Sequence, residues 1–217
     1  MTERPIIFSG PMIRAILDGT KRQTRRVFKE AKPNWRLMTP EEWMAATPNR
    51  PAIGGYPKPP KFPALMWDGR GGVAYASPYG VPGDRLYVRE NFYFTNVKGH
   101  ERSGAVIFAA DHPGVDRPPM GVGRPWRPSI FMPRWASRIT LEIVDVHVER
   151  LQEITGDDAR AEGVLHVGMG IHVGHIQPHV RPIKAFRDLW DSINAKKAPW
   201  SDNPFVWVIH FNVKNHI

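Results

Sequence analysis

The chain has 217 residues, 41% of them hydrophobic and 24% charged, which suits one well-buried core better than two full domains. Thirty Lys and Arg against 21 Asp and Glu leave a formal charge of +9, and there is no cysteine. Disulfides, Cys-ligated zinc, Cys nucleophiles and the zinc-dependent cytidine deaminase mechanism are therefore excluded.

The first 36 residues hold nine basic side chains against three acids, Glu3, Asp18 and Glu30. So concentrated a patch attracts phosphates or other anions, although a solubilising surface has the same composition. Pro5–Phe8 read as a short strand. Ser9 then caps a helix with Pro11 in its first turn, Met12, Ile13, Ile16 and Leu17 on one apolar face, and Gly19 closing it. The following Lys21–Val27 segment is too polar for a core strand. Residues 31–80 are rich in Pro, Gly and Trp and show no sustained period. They are expected to be an ordered insertion, with a short helix near Pro40–Ala45 and a polyproline-like run at Lys58–Pro63. Pro82-Gly83-Asp84 is a turn into a strand at Arg85–Arg89.

Residues 139–151 carry the strongest strand signal. Ile139, Leu141 and Ile143 alternate on one face, and Val144, Val146 and Val148 continue in the opposite phase. A slip of one residue predicts a β-bulge, which bends strands in small barrels. A second helix begins at Thr155, with Asp158 completing its capping box, and closes at Gly163. Residues 164–182 form a Gly- and His-rich loop. A third helix spans about 182–194, and Phe205–Phe211 is a strand apolar on both faces, hence central.

Three pieces stand in order along the chain: Gly19-Thr20-Lys21-Arg22-Gln23-Thr24-Arg25-Arg26 after a helix, Pro82-Gly83-Asp84 opening a strand, and Ala159-Arg160-Ala161-Glu162-Gly163 before the closing Trp207–Phe211 strand. Together they resemble the ASCH family, with its G-x-K-x-x-T-x-R loop, G-D strand and A-x-x-E-G helix end. The Trp126–Arg138 segment is similar to that of long members from bacteriophages and prophages. The resemblance implies one α+β domain, a PUA-like, mostly antiparallel β-barrel of five to seven strands with about three flanking helices. Insertions fall at about 31–80, 95–122 and 164–182. It also implies a cleft for a nucleobase or nucleoside, or for RNA or single-stranded nucleic acid. Small members hydrolyse the acyl amide of N4-acetylcytidine with a Lys, a Thr and a Glu, which by motif are Lys21, Thr24 and Glu162. No cofactor is implied.

Amide hydrolysis needs a nucleophile, a base and an acid for the leaving amine. Thr24 offers a hydroxyl. Lys21 can serve as its base only if its pKa falls well below the usual value of about 10.4, and Arg22, Arg25 and Arg26 crowd it in that direction. Glu162, at the negative end of its helix, is placed as the general acid. Residues 21 and 24 face opposite ways on a regular strand, so the segment must bend. The same four cations with a Thr hydroxyl also suit a phosphate clamp in a non-catalytic module that binds RNA or modified DNA.

Other residues are candidates for substrate contact. Trp126, Arg127 and Trp135 pair aromatic faces with cations, as stacking on an unpaired base requires, although Trp135 also suits a core. Glu90 could read the hydrogen-bonding edge of cytosine or pair with an arginine. His166, His172, His175 and His179 have spacing that could ligate a metal, but no acid lies among them, and a solvated or base-stacking loop is the better reading. No metal site is assigned. With no apolar run of membrane-spanning length and no apolar signal core after Met1, the chain is expected in the cytoplasm, that of a bacterial host if phage-encoded, without a membrane partner. The sequence sets no oligomeric state.

Overall fold

The structure is a computed structural model that describes residues 1–32, 34–39, 42, 64–67, 72–95, 105–119, 124–164 and 181–216. Its centre is a five-stranded mixed sheet of β1 (Glu3–Ile7), β2 (Gln23–Val27), β6 (Arg85–Arg89), β9 (Ile139–Arg150) and β10 (Phe205–His216), in the order β1-β6-β9-β10-β2. Only β1 and β6 run parallel; the other three pairings are antiparallel. A three-stranded antiparallel sheet of β3 (Arg36–Leu37), β4 (Ala64–Trp67) and β5 (Gly72–Tyr75) lies within the stretch that showed no period. A two-stranded ribbon joins β7 (Phe92–Phe94) to β8 (Val106–Phe108).

Strand β10 alternates between two cores. Trp207, Ile209 and Phe211 face an inner cluster with Ile6, Phe8, Leu86 and Leu141, while Val206 and Val208 face an outer one with Leu151, Ile154, Phe186 and Trp190. The outer cluster is roofed by α2 (Gly156–Ala161) and α3 (Pro182–Asn194), whose bounds match the 3.6-residue spacing of their apolar residues. Helix α1 (Gly10–Leu17) buries Ile13, Ala15 and Ile16. Ser9 sits at its N-cap, but its side chain makes no capping bond. Thr155 and Asp158 do form the reciprocal box at α2.

The phase slip in β9 is a bulge. His210 pairs with Asp145 and Phe211 with Ile143, so Val144 is the extra residue, half exposed while Ile143 and Val146 are buried. Past the bulge Asp145, His147 and Glu149 share the outer side of the strand with the exposed part of the sheet.

Two expectations are corrected. The sheet is not a barrel closed by backbone hydrogen bonds, because β1 and β2 are its edges and do not pair. They nevertheless approach each other: the Arg26 guanidinium donates to the Ile7 carbonyl at 2.6 Å, linking edge to edge through a side chain. And the segment judged too polar for a strand is β2, with Gln23, Thr24 and Arg25 buried. Polar residues occupy this edge because distant partners satisfy them, Gln23 from the Asp158 carbonyl and Arg25 from Glu149. The expected helix near Pro40–Ala45 (apart from Glu42), the polyproline-like run and the histidine-rich loop lie outside the described residues.

Candidate active site

The site is assembled where β2 begins. Lys21 precedes the strand and forms an isolated antiparallel bridge with Glu162, the C-cap of α2. Arg22 donates its N–H to the Ala161 carbonyl and accepts from the Phe211 N–H through its own. The backbone therefore switches partner at this residue. Gly163 makes the approach possible: its φ is +77°, and a Cβ there would lie 2.9 Å from that of Ala15 and 3.0 Å from that of Lys21.

The Lys21 ammonium is fully enclosed. It donates to the Glu162 carboxylate and to the Glu162 backbone carbonyl, both at 2.8 Å, and lies 5.6 Å from the centre of the Phe8 ring. An ammonium has three donors, so one N–H has no partner among the described residues. Burial presses the Lys21 pKa below its ordinary value; Glu162 opposes the shift, and the nearby charges of Arg26 and Arg25 reinforce it. The expected direction is right, but removal from water outweighs the arginines. Arg22 contributes nothing: it is exposed and bonds the Gly19 carbonyl.

Thr24 and Arg26 pair across the sheet with Ile209 and Trp207, so their side chains face the inner cluster. Lys21 lies over Phe8 of the same cluster. The backbone break at Arg22 takes Lys21 out of the alternation of β2. The Thr24 hydroxyl makes no hydrogen bond among the described residues, and Thr24 and Glu162 are among the residues lining a cavity of about 70 Å³ between α1, α3 and the edge of β2. That is room for a few water molecules or a small acyl group.

Arg25 points to the other side. It is held by Glu149 at 2.6 and 2.9 Å, by Glu162 at 3.3 Å and by Asp158 at 3.5 Å, with the Phe186 ring 5.9 Å away. It fixes Glu162 and is not free to bind substrate, contrary to expectation. Arg26 is available. Its Nε is buried without a hydrogen-bond partner, and burial lowers its pKa. Arg26, Val27, Ile193 and Asn194 also line a second, wider groove of about 1080 Å³ that includes Lys29, Lys32, Lys196, Lys197 and Tyr79. Bonds from Phe28 N–H to Phe205 and from Phe211 N–H to Arg22 turn the even-numbered residues of β2 toward β10. The peptide groups of Arg25 and Val27 consequently face the open edge along the narrow cavity.

The remaining candidates are elsewhere. Glu90 is buried and held at 2.9 and 3.1 Å by Arg138, which also grips Asp111; it pairs with an arginine and offers no edge to a base. Arg127 lies over Phe92 and Phe94, and Trp135, 41% exposed, stacks on Phe94 at 5.1 Å instead of filling a core. Trp126 donates to the Val115 carbonyl and stacks near His112. These residues surround the β7–β8 ribbon and line neither of the two cavities at the edge of β2. Glu149, Tyr79, Lys196 and Lys197 were not anticipated. The alternation of Asp145, His147 and Glu149 on a strand was the one sequence signal pointing to the first of them.

What the fold and site define is a curled mixed α+β sheet with a buried Lys–Glu pair and a hydroxyl at one edge. No family model matches the sequence, and no curated protein matches it. Among solved structures the chain is similar to an ASCH domain from Lactobacillus crispatus, at 13% identity over 99% of this chain and 81% of that one, with a TM-score of 0.38. So loose a superposition transfers no residue's role. No described helix is long and apolar enough to cross a membrane.

Proposed function

We propose that the protein is an ASCH-type amidohydrolase that removes the acyl group from N4-acylated cytosine or cytidine. The observation that carries the reading is the enclosed Lys21–Glu162 pair near Thr24, a cavity-lining residue whose hydroxyl has no hydrogen-bond partner among the described residues. The 2.8 Å contact joins the candidate base directly to the candidate acid. Removal from water favours the uncharged amine. In that form Lys21 takes the Thr24 proton as the oxygen attacks the acyl carbon, and Glu162 delivers its proton to the departing cytosine amine. Water then hydrolyses the acyl-threonine ester. The unpartnered Arg26 Nε–H is the donor for the developing oxyanion. The narrow cavity takes the acyl group, and the wider groove takes the nucleoside.

Incubation with N4-acetylcytidine is expected to release cytidine and acetate, followed by the ultraviolet change. Intact substrate at high enzyme concentration would refute the assignment. One observation favours a second reading, a non-catalytic module for RNA or modified DNA: the wide groove is rimmed by Lys29, Lys32, Lys196 and Lys197. That reading expects oligonucleotide affinity that falls steeply with salt and no turnover.

A further inference from the structure

Behind the site, on the outer side of the sheet, three side chains converge that the proposed chemistry does not use. Asp145 and His210 are direct cross-strand partners on β9 and β10, and His147 lies two residues along β9 from Asp145. Asp145 and His147, two apart, share one side of the strand, and the bulge at Val144 sets Asp145 opposite His210. The two imidazoles stack with their centres 5.7 Å apart, and His147 Nδ1 is 2.7 Å from the Asp145 carboxylate. Each residue offers one donor atom, and the three atoms lie within 4.8 Å of one another.

We propose that Asp145, His147 and His210 form a binding site for a divalent transition metal of the zinc class. Two imidazoles and one carboxylate match that class in softness, and hard cations such as Mg²⁺ prefer all-oxygen sets. Bonds of about 2.0–2.2 Å to a shared ion need donor atoms no more than about 4.4 Å apart, so small side-chain rotations complete the set. With His147 coordinating through Nδ1, its Nε2 faces Glu149 at 3.7 Å, and the other oxygen of Glu149 is held by Arg25 at 2.6 Å. A ligating histidine braced by a carboxylate that is itself hydrogen-bonded is the usual arrangement for fixing ring orientation. Three protein ligands leave a coordination position open to solvent.

Titration of the full chain with Zn²⁺ in a calorimeter tests the site, with thermal unfolding as a second readout, because an ion that binds only the folded chain raises its melting temperature. One Zn²⁺ per chain is expected, with no response to Mg²⁺. His147→Gln, His210→Gln and Asp145→Asn each lower the affinity by at least about tenfold and reduce the melting shift at a fixed Zn²⁺ concentration. Circular dichroism verifies that these surface variants fold. Replacing His172, His175 and His179 together by Gln leaves binding intact. The proposal is overturned if the wild type binds no Zn²⁺, if affinity survives His147→Gln and His210→Gln, or if the triple loop variant abolishes it.

Discussion

Two buried glutamates, Glu162 and Glu90, are each gripped by arginine, yet only Glu162 lines one of the two cavities described above. Glu90 meets Arg138 on both oxygens, and Arg138 satisfies its remaining donors on Asp111 while packing 4.0 Å over Phe108. Every strong donor has its acceptor, and neither cavity touches the cluster. Glu162 instead divides its oxygens between Arg25 and Lys21, beside a hydroxyl with no hydrogen-bond partner and open space. A buried ion pair alone says little about chemistry. A buried hydroxyl without a hydrogen-bond partner among the described residues next to one says more.

The comparison can be broken by substitution, beginning with the largest effect. Thr24→Ala is expected to lower turnover of N4-acetylcytidine by about 10³-fold or more in a steady-state assay, with melting changed little. Lys21→Met removes one partner of an enclosed pair, and both turnover and stability fall, the latter by about 3–5 kcal/mol in urea denaturation. Arg138→Met costs about 3 kcal/mol by the same measurement and leaves kcat unaltered in the fraction that folds. A loss of turnover there would erase the distinction between the clusters.

Dependence on pH sharpens it further, because burial acts on the two clusters with opposite sign. Lys21 is depressed in the folded chain, so the unfolded chain holds more protons between that depressed pKa and 10.5, and stability rises with pH through the interval. Burial raises Glu90 above 4.5, with Arg138 opposing, so its contribution is complete below 4.5 and lost as pH climbs through the raised value. Melting curves for Lys21→Met and Glu90→Gln, subtracted from wild type across pH, should slope in opposite directions. The smallest effect is expected at Trp135: its removal to Ala uncovers one face of Phe94 and leaves turnover unchanged.

How much of this was legible follows from the range of the interactions. The three described helices announce themselves within a dozen residues, α2 through its capping box and α1 and α3 through apolar spacing. So do strands β9 and β10, and the slip at Val144 is visible because alternation is local. Strand β2 is hidden: Gln23 and Arg25 are buried by partners more than a hundred residues away, which a polar pentapeptide does not reveal. The fragments β3 to β5 are too short to carry a period. At the site, Lys21, Thr24 and Glu162 stand out through motif, and the bend between the first two follows from their spacing. The engagement of Arg25 by Glu149, the pairing of Glu90 with Arg138 and the meeting of His147 with His210 arise from cross-strand register and packing, which one sequence does not encode visibly.

The most direct measurement compares a single turnover of N4-acetylcytidine by wild type, Thr24→Ser and Thr24→Ala under excess enzyme. Rapid deacylation by wild type, slower but measurable deacylation by the serine variant and none above background by the alanine variant is the expected pattern. Deacylation by Thr24→Ala at the wild-type rate would contradict an attacking hydroxyl at this position.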